Sequence, residues 1–149
     1  MSASGEQVWL ELPPISASAP RRLLVFLHGA GSSPENFAPV AIAWQLKFPG
    51  ATAVLLQGLR RFAQGSDWFD ARARDGRGHV DAADATTEVA ARIARLQRQT
   101  GVDGADTVIV GFGQGATVAL EAARRHADLA AIVVAYAGRL APPPADREA

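Results

Sequence analysis

Runs of consecutive apolar residues divide the chain and predict its buried strands. The runs span residues 22–27, 51–56, 107–110 and 129–136. An unbroken apolar run of this length is typical of a strand that is covered on both faces of a sheet. An earlier segment, Val8 to Leu12, alternates apolar and polar residues and stops at Pro13 and Pro14. That pattern predicts an edge strand, because proline cannot continue a ladder of hydrogen bonds.

Between these runs the apolar spacing changes to the period of a helix. Residues 36–47, opened by Ser33-Pro34, place Phe37, Val40, Trp44 and Phe48 on one predicted face. Residues 82–100 turn Val89, Ile93 and Leu96 inward, with Asp81 or Asp84 as the cap and Gly101 as the stop. Residues 114–125 form a third predicted helix, and residues 57–80 a long loop.

Alternating strands and helices predict the α/β class, with a mostly parallel sheet covered by helices on both faces. We expect residues 1–140 to form this domain and residues 141–149 to be a polar, proline-rich tail. The last strand has the composition of an interior strand, yet no apolar run follows to pair with it. We therefore expect a second chain, in a homodimer or a domain swap, to cover the edge at Ile132–Tyr136.

Composition narrows the classes of function. The 149 residues carry a formal net charge of +0 and no cysteine. The zero net charge gives no electrostatic reason to expect nucleic-acid binding, and the lack of cysteine excludes disulfides, thiolate metal sites and a cysteine nucleophile. Histidine and acidic residues lack metal-ligand spacing, and no apolar run approaches the roughly 20 residues of a membrane span. We expect no cofactor and no metal, and, because the start lacks a signal peptide, a cytoplasmic protein.

A glycine-rich turn after the 107–110 strand is where chemistry is expected. Its sequence, Gly111-Phe-Gly-Gln-Gly115, fits the G-x-S-x-G nucleophile elbow except that Gly113 stands at the serine position. A second interpretation is a dinucleotide site, since residues 111–116 also fit G-x-G-x-x-A, although residues 135–138 lack the acidic group that binds ribose. A third is a purely structural turn, because glycine adopts a positive φ without strain.

Three motifs in order resemble one family. They are Leu27-His-Gly-Ala-Gly-Ser-Ser33, Ser66-Asp-Trp-Phe-Asp70 and Gly111-Phe-Gly-Gln-Gly-Ala116. Together they are similar to the phospholipase/carboxylesterase family, the small acyl-protein-thioesterase-like members of the α/β-hydrolase fold. Residues 137–140, Ala-Gly-Arg-Leu, are similar to the bacterial esterase branch.

The resemblance implies roles for five residues. Gly113 would occupy the position of the nucleophilic serine, the backbone N–H groups of Ala30 and Gln114 would form the oxyanion hole, and Trp68 and Phe69 would line the acyl pocket. The implied substrate is a small carboxylic ester or acyl thioester, hydrolysed without a cofactor.

The chain departs from that pattern in three respects. In the family an aspartate and then a histidine follow the strand that ends here near Tyr136, and this sequence stops before both. With Gly113 in place of serine, the expectation is an incomplete α/β-hydrolase fold without serine-dependent turnover. A non-catalytic acyl-binding or interaction module is the alternative from another class. We expect structural or surface roles for His28, His79 and His126.

Overall fold

The computed structural model describes residues 9–16 and 21–140, and its elements follow the predicted alternation. The elements are β1 (Trp9–Leu12), β2 (Arg22–Leu27), α1 (Pro34–Lys47), β3 (Ala51–Leu56), β4 (Arg60–Phe62), β5 (Gly65–Asp67), α2 (Ala83–Thr100), a 3₁₀ turn (Gly104–Asp106), β6 (Thr107–Phe112), α3 (Gln114–Arg125) and β7 (Ile132–Tyr136). Five of the strands form one sheet in the order β1-β3-β2-β6-β7.

The sheet is mostly parallel, as the sequence predicts, and the edge strand β1 is antiparallel. Strand β2 pairs in parallel with β3 and β6, so that Val25 lies opposite both Val54 and Ile109. Strand β1 pairs antiparallel with β3 at one edge of the sheet, and β7 pairs in parallel with β6 at the other. The carboxyl ends of β2, β3 and β6 therefore meet at the same end of the sheet, which is where open α/β sheets place ligands.

Two cores, one on each face, fill the space between sheet and helices. The core under α2 and α3 contains Ile93 and Val118, and the core under α1 contains Phe26, whose ring makes edge contacts with Phe37 and Trp44. The α/β prediction is confirmed, including helices on both faces. The predicted inward face of α1 is only half right, because Val40 is 39% exposed.

Gln45 takes the inward position beside Trp44 instead. Its amide nitrogen donates to the carbonyl oxygens of Leu12, Pro13 and Ala51, at 2.9, 2.9 and 3.1 Å. A buried amide is stable there because each loop carbonyl that it meets would otherwise lose its hydrogen bonds to water.

Element boundaries differ from the predicted ones in a few places. Helix α1 begins two residues earlier than expected, at Pro34, with the Ser33 hydroxyl accepting from the Asn36 N–H. Of the two predicted caps of α2, Asp81 rather than Asp84 serves at the start of the helix, because the Asp81 carboxylate accepts from the Ala83 N–H. Residues 57–80, which the sequence predicts as one long loop, include the β4–β5 hairpin.

Strand β7 leaves one edge of the sheet open. Within residues 9–16 and 21–140, no strand pairs with its outer side. Ile132 is 56% exposed and Tyr136 49%, and the Tyr136 ring lies 6.4 Å from that of Phe112, which is 51% exposed. Val8 and the predicted tail lie outside the described residues. No helix of the described chain is long and apolar enough to cross a bilayer.

Candidate active site

The turn between β6 and α3 is sharp and has Gly113 at its apex. Gly113 has φ 58° and ψ −122°, a backbone conformation in which L side chains are strained. Its N–H donates to the carbonyl of Tyr136 at 2.8 Å, and its carbonyl accepts from Thr117 N–H at 3.1 Å, the first bond of α3. The turn is therefore tied to β7 on one side and to its own helix on the other.

The glycines on either side of Gly113 are required by close approach of backbone. A Cβ on Gly111 would lie 2.6 Å from both Ala116 Cα and the Gly115 carbonyl oxygen. A Cβ on Gly115 would overlap the carbonyl oxygens of Leu27 and His28. A Cβ on Gly113, in contrast, would meet only Gly29 Cα at an ordinary 3.7 Å. Of these three positions, only the central one has room for a side chain.

The loop that follows β2 lies directly beside this turn and is anchored by His28. The His28 side chain is buried, and its Nε2 lies 3.0 Å from the Gly58 nitrogen. Because that backbone N–H can only donate, Nε2 is the acceptor and the proton sits on Nδ1, 2.7 Å from the Gly29 carbonyl oxygen. Burial lowers the pKa of His28, so the neutral ring is favoured. The role is structural, as the sequence indicates.

Residues of β5 hold the same loop from the other side. Gly31 N–H lies 2.9 Å from both the Asp67 carboxylate and the Ser66 carbonyl oxygen, and Ser66 N–H donates to the Ser32 carbonyl. These bonds flank Ala30, whose N–H is a predicted oxyanion donor, and they fix the path of its backbone. Ser33 caps α1, as its place before Pro34 predicts, and Ser32 forms a β-bridge with Ser66.

Gln114 joins the turn to the segment that follows β5. Its side-chain carbonyl accepts from Trp68 N–H, and its side-chain NH₂ donates to the Phe69 carbonyl, both at 3.0 Å. Sequence reasoning gave Gln114 only a backbone role and missed these bonds, because the partners lie 45 and 46 residues away. We call the three connected segments, residues 28–32, 66–69 and 113–114, the loop junction.

The two predicted acyl-pocket residues occupy different environments. Phe69 is half-buried and lines an open cleft of about 700 Å³ together with Gly113, Gln114, Thr117 and Leu140. Trp68 is only 2% exposed, and its indole N–H donates to the His28 carbonyl at 2.8 Å. Phe69 can therefore touch a molecule bound beside Gly113, whereas Trp68 is buried and does not line this cleft.

Within residues 9–16 and 21–140, no acid–base pair is hydrogen-bonded to the turn. Asp75 and His79 also line the cleft, with 3.9 Å between the carboxylate oxygen and Nδ1. Backbone N–H groups of Arg77 and His79 lower the pKa of Asp75. His126 ends α3, far along the chain from the turn. Among the described residues, no three His, Asp or Glu side chains converge as a metal ion would require.

Comparison with known proteins agrees with this geometry. A sequence profile of the family described as Phospholipase/Carboxylesterase matches residues 15–148. The chain belongs to this family. It is 29% identical over 124 residues to esterase YpfH of Escherichia coli (strain K12), a match that covers 81% of the chain and 53% of YpfH.

Solved structures show the same fold. Esterase PE8 superposes with a TM-score of 0.78 at 30% identity, covering 88% of this chain and 63% of PE8. The Bacillus cereus carboxylesterase has a TM-score of 0.72 at 16% identity, covering 91% of this chain and 62% of its own. This chain thus spans between half and two thirds of these proteins. The predicted family and fold are confirmed, and the roles of the individual site residues stay predictions.

Proposed function

We propose that Gly113 occupies the nucleophile position of a carboxylic ester hydrolase site, and that this chain supplies the acyl-binding and oxyanion-binding part of that site without the nucleophile. One observation carries the proposal. Gly113 stands at a positive φ between two glycines that cannot accept a Cβ, in the only one of the three positions where a side chain fits. Such a turn presents its central residue at the top of the sheet, beside the N-terminus of a helix.

The chemistry of the family explains what the glycine removes. In a serine hydrolase the hydroxyl oxygen attacks the acyl carbon, a histidine takes the proton, and an aspartate orients that histidine. Backbone N–H groups then stabilise the oxyanion, each contributing on the order of 3 kcal/mol to the transition state. Gly113 has no hydroxyl, so no acyl-enzyme forms. The Ala30 and Gln114 N–H groups can still bind the ester carbonyl, and Phe69 can still contact the acyl chain.

Titration with ethyl butyrate, followed by amide chemical shifts, tests this directly. We expect saturable shifts at Ala30 and Gln114 and no hydrolysis. Phe69→Ala should weaken binding several-fold, whereas Leu46→Ala, which truncates a side chain that is 70% exposed on α1, should not. Shifts confined to other surfaces, or equal affinities for the two variants, would contradict the proposed site.

The open edge of β7 supports a second candidate role, as an interaction module. The edge is unpaired among the described residues, and it presents Ile132 and Tyr136, with Phe112 of the neighbouring strand β6 beside Tyr136. All three side chains are about half exposed. We propose that two copies of the chain pair through β7, which would satisfy the free backbone groups and cover these side chains.

Sedimentation velocity separates a pairing chain from a monomeric one. We expect a concentration-dependent dimer that Ile132→Lys converts to a monomer, because a charge at the edge opposes strand pairing. A wild-type chain that stays monomeric at high concentration would contradict this second role and would leave the ester-binding proposal unaffected.

A further inference from the structure

We propose that the Gln114 side chain is a positioning residue, which sets the distance between the Phe69 wall of the cleft and the turn at Gly113. This inference rests on the proposed ester site and adds a role that is separate from the Gln114 backbone N–H. The bonds that carry it are those from the Gln114 amide to Trp68 N–H and the Phe69 carbonyl, both 3.0 Å long.

The chemistry of these bonds requires a primary amide. Strand β5 ends at Asp67, so the next two residues lie beyond its pairing with β4. The Gln114 amide bridges this stretch, accepting from the N–H of one residue and donating to the carbonyl of the next. A carboxylate can accept but not donate, and leucine can do neither. Asparagine is one methylene shorter. Glutamine is thus the side chain that offers both functions at this reach.

The bonds extend through Trp68 to the rest of the loop junction. Trp68 donates its indole N–H to the His28 carbonyl, and its ring lies 5.2 Å from the His28 ring. His28 precedes Gly29, whose Cα lies nearest to the space beside Gly113. A series of contacts therefore runs from Gln114 through Trp68 and His28 to Gly29, which lies beside the turn. The side chain of Gln114 is the link that makes the cleft wall and the turn move together.

Amide hydrogen exchange measured by NMR on the whole chain tests the link without requiring activity. In Gln114→Leu we expect the Trp68 amide to exchange at least tenfold faster than in the wild type, with the Ile109 amide of β6 unchanged. Ethyl butyrate should bind at least fivefold more weakly, although the Gln114→Leu backbone retains its N–H.

Gln97→Leu is a matched control. Gln97 also makes two side-chain bonds, to the Thr107 hydroxyl at 3.0 Å and to the Leu129 carbonyl at 2.7 Å, close to the start of β6. That variant should leave both Trp68 exchange and ester affinity within twofold of the wild type. A Gln97→Leu effect on ester affinity as large as that of Gln114→Leu would overturn the specific positioning role.

Gln114→Glu provides an internal rescue and a second route if the leucine variant does not fold. At pH 7 its carboxylate still accepts from Trp68 N–H but cannot donate to the Phe69 carbonyl, so only the second bond is lost. Ester affinity should therefore fall at least fivefold at pH 7, and protonation near pH 4.5, which restores a donor, should narrow that difference from the wild type. Unchanged Trp68 exchange in Gln114→Leu, or wild-type ester affinity of Gln114→Glu at pH 7, would overturn the link. Fast exchange in Gln114→Leu with unchanged ester affinity would overturn its role in the cleft, and failure of the wild type to bind ester would contradict the proposed function alone.

Discussion

The loop junction and the β7 edge are two regions of one protein that differ in how completely their side chains and backbone groups are paired and covered. At the junction, polar groups from three segments pair with one another, and no buried side-chain nitrogen or oxygen among the described residues lacks a partner. At the β7 edge, the strand presents apolar side chains that are about half exposed, and no described strand pairs with it.

This difference separates two requirements of a hydrolase site. The shape of the turn and of the cleft wall depends on contacts among residues 28–32, 66–69 and 113–114, all of which are present. The outer edge of β7, in contrast, is not paired with any other strand of the described residues. The turn is therefore expected to keep its conformation whether or not the site can perform chemistry. Substitutions in the loop junction should lower the free energy of unfolding more than substitutions at the β7 edge.

Removal of a large aromatic side chain should give the largest difference in unfolding free energy between the loop junction and the β7 edge. Trp68→Ala takes a nearly fully buried ring from the core and leaves the His28 carbonyl without its partner, which should cost about 3–5 kcal/mol of unfolding free energy. Tyr136→Ala, at an exposed position, should cost less than about 1 kcal/mol. Chemical denaturation of both variants measures the two free energies. Equal losses of unfolding free energy would show that the loop junction is not better packed than the β7 edge.

A methyl group added to a glycine of the turn should give a smaller difference in stability from its control variant. Gly115→Ala drives a Cβ into the carbonyls of Leu27 and His28 and should cost about 3 kcal/mol, the upper part of the usual range for overpacking. Gly76→Ala is the control, since nothing lies within 4 Å of its Cβ, and it should change stability by less than about 0.5 kcal/mol. If Gly115→Ala is as well tolerated as the control, the turn does not pack closely against β2.

The protonation of His28 should give the smallest effect. Burial lowers its pKa below the usual 6.5, so the unfolded chain binds this proton more readily than the folded chain. The free energy of unfolding that the neutral His28 ring contributes is therefore complete above pH 6.5. It declines as the pH falls from there toward the lowered pKa, by about 1.4 kcal/mol for each pH unit between the two pKa values.

Denaturation midpoints from pH 8 to pH 5 measure this slope, and His28→Gln should remove it. The acidic groups Asp70 and Asp75 do not interfere, because backbone N–H groups lower their pKa values below the usual 3.8. A wild-type slope that persists in His28→Gln would show that another group is responsible.

Elements with a strong local signal could be predicted from the sequence. Helix α2 combines an apolar period with a glycine stop, and Gly101 does adopt a left-handed φ of 70°. The buried strands were evident as apolar runs, although β7 begins at Ile132 rather than at residue 129. The β4–β5 hairpin had no such signal, because β4 is exposed throughout and β5 is short and polar.

Much of the site could not be predicted because its bonds join distant residues. The amides of Gln45, Gln97 and Gln114 each reach partners more than 30 residues away, and an isolated glutamine in a helix gives no indication of this. The family motifs located the turn and the loop beside it. They did not show that Trp68 is a buried support and Phe69 a wall of the cleft, a difference that depends on the direction of two adjacent side chains.

The measurement that tests the central claim most directly is hydrolysis of p-nitrophenyl butyrate by the wild-type chain and by Gly113→Ser. We expect Gly113→Ser to fold, with a cost of about 1–3 kcal/mol for the positive φ. We expect both proteins to release nitrophenol no faster than a heat-denatured sample, because no histidine or carboxylate of the described residues is hydrogen-bonded to the turn, where a base for the hydroxyl at position 113 would have to lie. Saturable turnover by the wild-type chain that heat abolishes would contradict the account, and turnover gained by Gly113→Ser alone would show that the chain already contains a working base.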